Sequence, residues 1–290
     1  MIDYDPHQWR TTFFAVKGSM LRAILARVSI AMAFAFGITA VHYWVYPMSI
    51  PEASTAHGLV GPALGLLLVF RTNSSYDRWW EGRKLWGNIV NTSRNLARGV
   101  SVQLASDPER VTRILKLVAA WPYSAKEQLR LQPHVTQGCD PRDEETLRDA
   151  QHLPTAIARR ITFLLDEARR QGKLTDILFT DLDDNNQVLV DCIGACERIH
   201  KTPLPFAYVV HLRRAMVLFC GTLPFALLGR FGPWSIVITL VVSYIMFGIE
   251  EIGVEIEDPF EIDDNDLPLD RICDGIKANV LAFLPPEAAR

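Results

Sequence analysis

The fold is decided by the stretch ASTAHGLVGPALGLLLVF, residues 53–70, which passes directly into RTNSSYDRWWEGRKLWG, residues 71–87. The first part contains no acidic residue, Lys or Arg, and approaches the ~20 residues that a helix needs to cross the hydrocarbon core of a bilayer. The second part is rich in basic residues and tryptophan, which are typical of the boundary between membrane and water. We therefore predict a membrane-spanning helix that leaves the lipid at Arg71 and is anchored beyond it by Trp79, Trp80 and Trp86.

Three other segments are apolar enough to span a membrane, at about residues 28–46, 206–229 and 231–249. The first ends in His42, Tyr43, Trp44 and Tyr46, an aromatic belt of the kind found where a helix leaves the lipid. The third carries Arg213 and Arg214, which are costly in lipid, so we expect an ion pair between helices there. The chain is thus predicted to be a multi-pass membrane protein with four transmembrane helices.

Basic residues near the ends of these segments predict the orientation, because they are retained in the cytoplasm. The connection at 47–52 has no Lys or Arg, whereas the flanks carry many: Arg10, Lys17, Arg22 and Arg27 before the first segment, and Arg71, Arg78, Arg83, Lys84, Arg94 and Arg98 after the second. Both termini, the long middle region at about 71–201 and the C-terminal segment 250–290 are therefore predicted to be cytosolic.

The middle region shows helical periodicity and no sustained strand alternation, so the predicted fold class is all-α. The formal net charge of -3 does not suggest a nucleic-acid partner. No HExxH, GxSxG, P-loop or GxGxxG pattern occurs, and the seven histidines are scattered, which argues against an enzyme. The five cysteines lack zinc-site spacing, and we interpret them as packed, reduced thiols.

Within the second segment, Pro62, Leu66 and Phe70 share one helical face, and the opposite side carries small residues: Gly58, Gly61 and Gly65. An apolar face beside a packing face suits a pore-lining helix, although spacing alone favours a packed or lipid-facing stripe. Just beyond lie Asn73, Ser74 and Ser75, which would either line the wet part of a path or serve as helix caps and intersubunit contacts.

Four blocks resemble the bestrophin family in its bacterial branch: residues 71–87 quoted above, GKLTDI at 172–177, CERIHKTPLPFAY at 196–208 and EDPFEIDDNDLPLD at 257–270. They occur in family order and are spread over most of the chain. The resemblance implies that residues 1–290 form one subunit of a homopentameric channel in the bacterial inner membrane. Five copies would surround a central pore for monovalent ions, with the other copies, the lipid bilayer and the permeant ions as partners.

The resemblance also assigns the pore neck to Pro62, Leu66 and Phe70 and a cytosolic aperture to Ile177, which by itself reads as a core residue. Eukaryotic bestrophins have aromatic rings at both Leu66 and Phe70, whereas this chain has only one. Ring edges facing the axis would favour anions. We therefore expect cation permeation, as in the bacterial branch. The alternatives are a chloride or other anion channel, as in eukaryotic bestrophins, and a non-conducting membrane scaffold.

The C-terminal acidic run comprises Glu255, Glu257, Asp258, Glu261, Asp263, Asp264 and Asp266. In eukaryotic bestrophins the matching segment holds calcium, and two of its acids align with Asp263 and Asp266. Ile262 and Asn265 interrupt the eukaryotic pattern here. We expect no cofactor, with calcium at Asp263 and Asp266 as the alternative. Without calcium, the run would be solvated or paired with the basic stretch at 71–84.

Overall fold

The computed structural model describes residues 2, 5, 7–48, 50–133 and 139–285, and this part of the chain is helical without a strand. The all-α prediction is confirmed. The last residues of the predicted C-terminal segment, 286–290, lie outside the described residues. The helices are α1 (Trp9–Phe13), α2 (Leu21–Trp44), α3 (Pro51–Gln103), α4 (Pro108–Leu129), α5 (Pro141–Leu147), α6 (Leu153–Arg170), α7 (Asp176–Lys201), α8 (Phe206–Phe231), α9 (Trp234–Glu255) and α10 (Leu269–Leu281).

The chain divides into two compact units, and the division falls inside α3. The first, here called the spanning unit, comprises Met1–Trp79, Pro203–Asp258 and Asp263–Asp266. The second, here called the helical unit, comprises Trp80–Thr202, Pro259–Ile262 and Leu267–Arg290.

Four helices of the described chain are long and apolar enough to cross a membrane: α2, the first part of α3, α8 and α9. They coincide with the four predicted segments, with shifted ends. Helix α2 begins at Leu21 instead of residue 28, and α9 continues to Glu255 instead of ending at residue 249. Both extensions carry charged residues, so hydropathy alone does not reveal that they are helical.

Charge pairing explains how these helix ends are stabilised. Glu250 is 1% exposed, and its carboxylate accepts hydrogen bonds from Arg213 Nε at 2.8 Å and from Arg27 Nη1 at 3.2 Å. Arg27 Nη1 also contacts Glu251 at 2.6 Å. Burying one of these charges alone would be costly, and pairing offsets that cost. The predicted ion pair between helices is confirmed for Arg213, whose side chain nevertheless remains half exposed, and Arg214 is exposed as well.

The core of the spanning unit is built from all four helices. Its buried members are Ile24, Val28, Leu64, Leu68, Leu212, Met216, Cys220 and Phe247. Helix α3 contributes Leu64 and Leu68, four residues apart on one face. Removing a leucine side chain of this kind from water contributes roughly 1.5–3 kcal/mol. This burial determines which face of α3 is turned towards its own subunit.

The helical unit contains the second part of α3 with α4, α5, α6, α7 and α10. Trp86 and Trp121 are both fully buried in it. The interpretation of Trp86 as an anchor at the membrane surface is therefore wrong: its ring packs in a protein core. Asp143, also fully buried, accepts hydrogen bonds from Arg113 Nη2 at 2.8 Å and Arg160 Nε at 2.6 Å, which joins α4, α5 and α6.

All five cysteines are buried and unlinked, as expected for packed thiols. Burial raises the pKa of Cys139 and of Cys273 to about 12, and it raises the pKa of Cys192 and Cys196 above the usual range as well. These thiols therefore stay protonated at neutral pH, and protonated thiols are poor nucleophiles and poor metal ligands.

Candidate functional site

The three predicted neck residues lie on a face of α3 that the subunit leaves uncovered. Leu66 is 55% exposed and Phe70 56% exposed, and Pro62 is also exposed. By contrast, Leu64 and Leu68 on the other side of the same helix are each 2% exposed. The structure thus brings the predicted stripe together as one apolar surface that faces away from the core of its own subunit.

The glycines of α3 behave differently from one another. A Cβ atom added to Gly61 would lie 3.6 Å from the ring of Phe219, which is an ordinary van der Waals distance, so α8 lies beside Gly61 without requiring a glycine there. At Gly58 and Gly65 the described part of the chain has no atom within 4 Å. Within this subunit, Gly61 is therefore in contact with α8, and no described helix packs against Gly58 or Gly65; Gly58 precedes Pro62 by four residues and lies on the same face as the apolar stripe.

Beyond Phe70 the uncovered face of α3 becomes polar. Asn73, Ser74 and Asp77 are exposed and follow Phe70 by three, four and seven residues, which keeps them on its side of the helix. Ser75 is fully buried, so the expectation that it lines a wet path is wrong. The exposed face of α3 thus changes from apolar at Leu66 and Phe70 to polar at Asn73, Ser74 and Asp77.

Arg71, immediately after the predicted neck residue Phe70, is 1% exposed and points into the spanning unit. Its Nη2 donates to Glu257 Oε2 at 2.7 Å, while the other carboxylate oxygen accepts the Leu204 N–H at 2.8 Å. Arg78 Nε donates to the Glu257 carbonyl oxygen at 2.8 Å. We call this arrangement the Glu257 clamp. It ties the base of the neck to the chain after α9 and to the chain before α8, and it confirms the predicted contact between the acidic run and the basic stretch.

Gly253 makes the clamp possible. A Cβ atom at this position of α9 would lie 3.2 Å from Arg71 Cγ, which is closer than ordinary van der Waals contact. The glycine therefore lets the arginine stem lie against α9 on its way to Glu257. Sequence reasoning missed Gly253, whose only signal was a glycine near the end of an apolar segment.

Ile177 lies in the first turn of α7, after Thr175, whose hydroxyl accepts the Leu178 N–H at 3.3 Å and caps the helix. The Ile177 side chain is 82% exposed. The reading of Ile177 as a core residue of its own subunit is therefore wrong. Four and seven residues further along the same helical face lie Asp181 and Asp184, both exposed.

The two candidate calcium ligands lie in one turn. The Asp263 backbone N–H donates to Asp266 Oδ2 at 2.7 Å, and Asp266 is 2% exposed while Asp263 is exposed. The Asp266 carboxylate thus already closes the turn through the backbone. Calcium takes six to eight oxygen ligands, so these two carboxylates would form only part of a coordination shell.

Comparison with known proteins identifies the family. The model of the bacterial and fungal bestrophin proteins matches residues 1–282. The chain belongs to the bestrophin family. The resemblance seen in the four sequence blocks is confirmed. The prediction that this bestrophin is not an enzyme is also confirmed, because bestrophins are ion channels.

Relatives of this bestrophin carry channel names. It is 40% identical to the voltage-dependent anion channel-forming protein sll1024 of Synechocystis, over 97% of this chain and 94% of the relative. It is 33% identical to the voltage-dependent anion channel-forming protein YneE of Escherichia coli K12, over 97% and 93%. The crystal structure of a bacterial bestrophin homologue from Klebsiella pneumoniae matches with a TM-score of 0.83 and 28% identity, covering 90% of this chain and 98% of that one. This bestrophin is thus a membrane protein with the helical fold of that homologue.

Proposed function

We propose that five copies of this bestrophin form an ion channel in the bacterial inner membrane, with both termini in the cytoplasm and a neck made of Pro62, Leu66 and Phe70. The observation that carries the proposal is the uncovered apolar face of α3, where Leu66 and Phe70 are more than half exposed. In a ring of five subunits this face would surround the axis. Apolar rings of this kind form constrictions that gate by excluding water.

A face exposed to lipid would be apolar as well, so the residues that continue this face along α3 are needed to distinguish a pore from a lipid-facing surface. Asn73, Ser74 and Asp77 extend it in the cytosolic direction, where water replaces lipid along a permeation path. The uncovered surface is also broader than the stripe, because Leu59 and Val69 are 74% and 52% exposed. This width supports contact with neighbouring subunits on either side of the neck.

Ile177 is proposed as the cytosolic aperture. An isoleucine that is 82% exposed on a capped, regular helix is unfavourable in water, and a ring of five such side chains would offset part of that cost by mutual contact. The adjacent carboxylates of Asp181 and Asp184 would make the path beside this ring acidic.

We further propose that the channel favours small monovalent cations. Rings of Asp and Glu select cations in pores, and Asp77, Asp181 and Asp184 lie on the same faces as the proposed constrictions. The neck has one aromatic ring per subunit, at Phe70, which limits the contribution of positive ring edges. An anion channel is the second candidate, supported by the names of the relatives from Synechocystis and Escherichia coli.

Conduction along this path needs no bound cofactor in the proposal. Calcium at Asp263 and Asp266 is the alternative, in which case the metal would brace the turn after α9. Chelation with EGTA separates the two: unchanged currents support a channel without calcium, and currents lost on chelation and restored by calcium would support a bound calcium ion.

The decisive experiment measures reversal potentials of the purified protein in planar bilayers under a KCl gradient. A potential near that of K⁺ supports the cation channel, and one near that of Cl⁻ assigns the anion channel. A pentameric mass without any current would instead favour a non-conducting scaffold. A reporter fused to the C-terminus tests the orientation independently, since its activity depends on which side of the membrane it occupies.

A further inference from the structure

A second feature of the spanning unit is a cavity of about 940 Å³ away from the neck residues. Its walls come from four parts of the chain: the segment before α2, the stretch of α3 after Phe70, the end of α9, and the turn that contains Asn265. The residues that matter for its chemistry are Asp5, Lys17, Tyr76, Trp79, Ile252 and Glu255. Cavities of 300–1,000 Å³ are typical of small-molecule sites.

One wall of the cavity is aromatic and apolar. The rings of Tyr76 and Trp79 are stacked, with centroids 6.4 Å apart and an interplanar angle of 17°. Trp79 Nε1 donates to the Asn265 carbonyl oxygen at 3.3 Å, which fixes the indole in place. Ile252, which is 43% exposed, and Ile256 complete the apolar surface. This wall suits a flat or branched apolar group.

The polar part of the cavity is acidic. Asp5 and Glu255 contribute two carboxylates, and Glu255 Oε1 is held by Asn265 Nδ2 at 3.1 Å. Lys17 is the basic residue of the lining, but its side chain is 82% exposed and lies 4.0 Å from Asp264. The negative charge of the lining therefore exceeds the positive charge.

We propose that this cavity binds an organic ammonium ion that carries an apolar group. The ammonium would be attracted by the Glu255 carboxylate, and the apolar group would lie against Tyr76 and Trp79. A cation beside a tryptophan face gains cation–π attraction, and an ionised pair gives the stronger class of hydrogen bond. The ammonium could belong to a soluble amine or to the headgroup of an aminophospholipid, since both present the same chemistry.

This inference does not depend on conduction, because the cavity walls contain none of the three neck residues. Binding and ion flux are therefore measured separately, and either can fail without the other. A bound amine would act on the stretch of α3 that contains Tyr76 and Trp79, so its effect on current is a secondary readout.

The test is isothermal titration of the purified full-length protein in detergent with benzylammonium, using benzyl alcohol as the uncharged match. We expect saturable binding of the amine and no measurable binding of the alcohol. Glu255→Gln retains an oxygen for Asn265 but removes the charge, and should weaken amine binding about tenfold or more. Trp79→Leu should weaken it as well, whereas Glu145→Gln, at an exposed position of α5 that lines neither the cavity nor the proposed pore, is the matched control and should leave it unchanged.

Equal binding of benzyl alcohol, or unchanged affinity in Glu255→Gln, would overturn the proposal; the wild-type comparison of the two compounds holds even if a variant misfolds. A second arm titrates lysophosphatidylethanolamine against lysophosphatidylglycerol. Binding of the ethanolamine lipid without benzylammonium identifies a lipid headgroup as the source of the ammonium. Equal binding of both lipids, or no binding of any of the four compounds, contradicts an ammonium site.

Discussion

Two leucines of α3, Leu66 and Leu68, lie on opposite faces of the helix and are expected to respond in opposite ways to the same substitution. Leu66 is 55% exposed in the subunit, and Leu68 is 2% exposed in the core. Leu66→Ala should change conduction with little effect on folding. Leu68→Ala should destabilise the subunit with no direct effect on the width of the neck.

The magnitudes follow from burial. Truncating a fully buried leucine to alanine costs about 2–5 kcal/mol through lost transfer energy and the cavity left behind. At Leu66 the subunit loses only the half of the side chain that it covers, or roughly 1 kcal/mol. In the proposed pore, the substitution removes one apolar ring, to which each of the five subunits contributes a single leucine side chain. If this lowers the permeation barrier by about 1.4 kcal/mol, the ion flux rises about tenfold.

The assay combines single-channel recording with thermal unfolding in detergent, on the same preparations. We expect a higher conductance and a nearly unchanged unfolding temperature for Leu66→Ala, and Phe70→Ala should behave in the same way. Leu68→Ala should show a lower unfolding temperature and, where it assembles, the wild-type conductance. Unchanged currents in both Leu66→Ala and Phe70→Ala would refute the neck assignment, because the uncovered face would then not line the path.

Three further predictions follow from the charged groups. Glu257→Gln leaves Arg71 buried without a charged partner and should cost about 3–5 kcal/mol of stability, measured by chemical denaturation; no loss would show that the Glu257 clamp is unimportant. Asp184→Lys should reduce the K⁺ to Cl⁻ permeability ratio severalfold in reversal-potential measurements, and an unchanged ratio would place this residue outside the path. The hydrogen bond from Lys126 holds the pKa of the Asp270 carboxyl below its ordinary value. The ionised carboxylate of Asp270 therefore stabilises the fold at neutral pH, and this contribution is lost as the pH falls below about 3.9. Asp270→Asn should therefore lower the unfolding temperature at pH 7 but converge with wild type in acid, and an equal deficit at both pH values would contradict the ionic origin.

The spanning helices were predictable because length and hydropathy act locally. A run such as 53–70 has few stable alternatives to a membrane helix, since its backbone groups must be satisfied internally in lipid. The extra turns of α2 and α9 were missed because they are polar, and local hydropathy does not identify polar turns as part of a spanning helix. Arg27, Glu250 and Glu251 make those turns polar, and only their mutual pairing keeps them helical and packed.

The stripe of Pro62, Leu66 and Phe70 was visible in the sequence, but its exposure was not. Spacing places residues on a common face without telling whether that face is turned towards the core. The structure resolves this ambiguity, because Leu64 and Leu68 are buried in the core whereas Leu66 and Phe70 are more than half exposed. Likewise, Ile177 is exposed and Trp86 is buried in a core because of neighbours that are distant in the chain.

By itself the sequence determined the fold class, the four spanning segments and the family, because these depend on local hydrophobicity and on motifs that are continuous in the chain. Only the tertiary structure decided which face of α3 is free, that Glu257 holds the buried Arg71, and that Tyr76, Trp79 and Glu255 line one cavity. The partners in the clamp, Arg71 and Glu257, are separated by 186 residues. A contact of that kind is set by the packing of helices against one another, which no local pattern encodes.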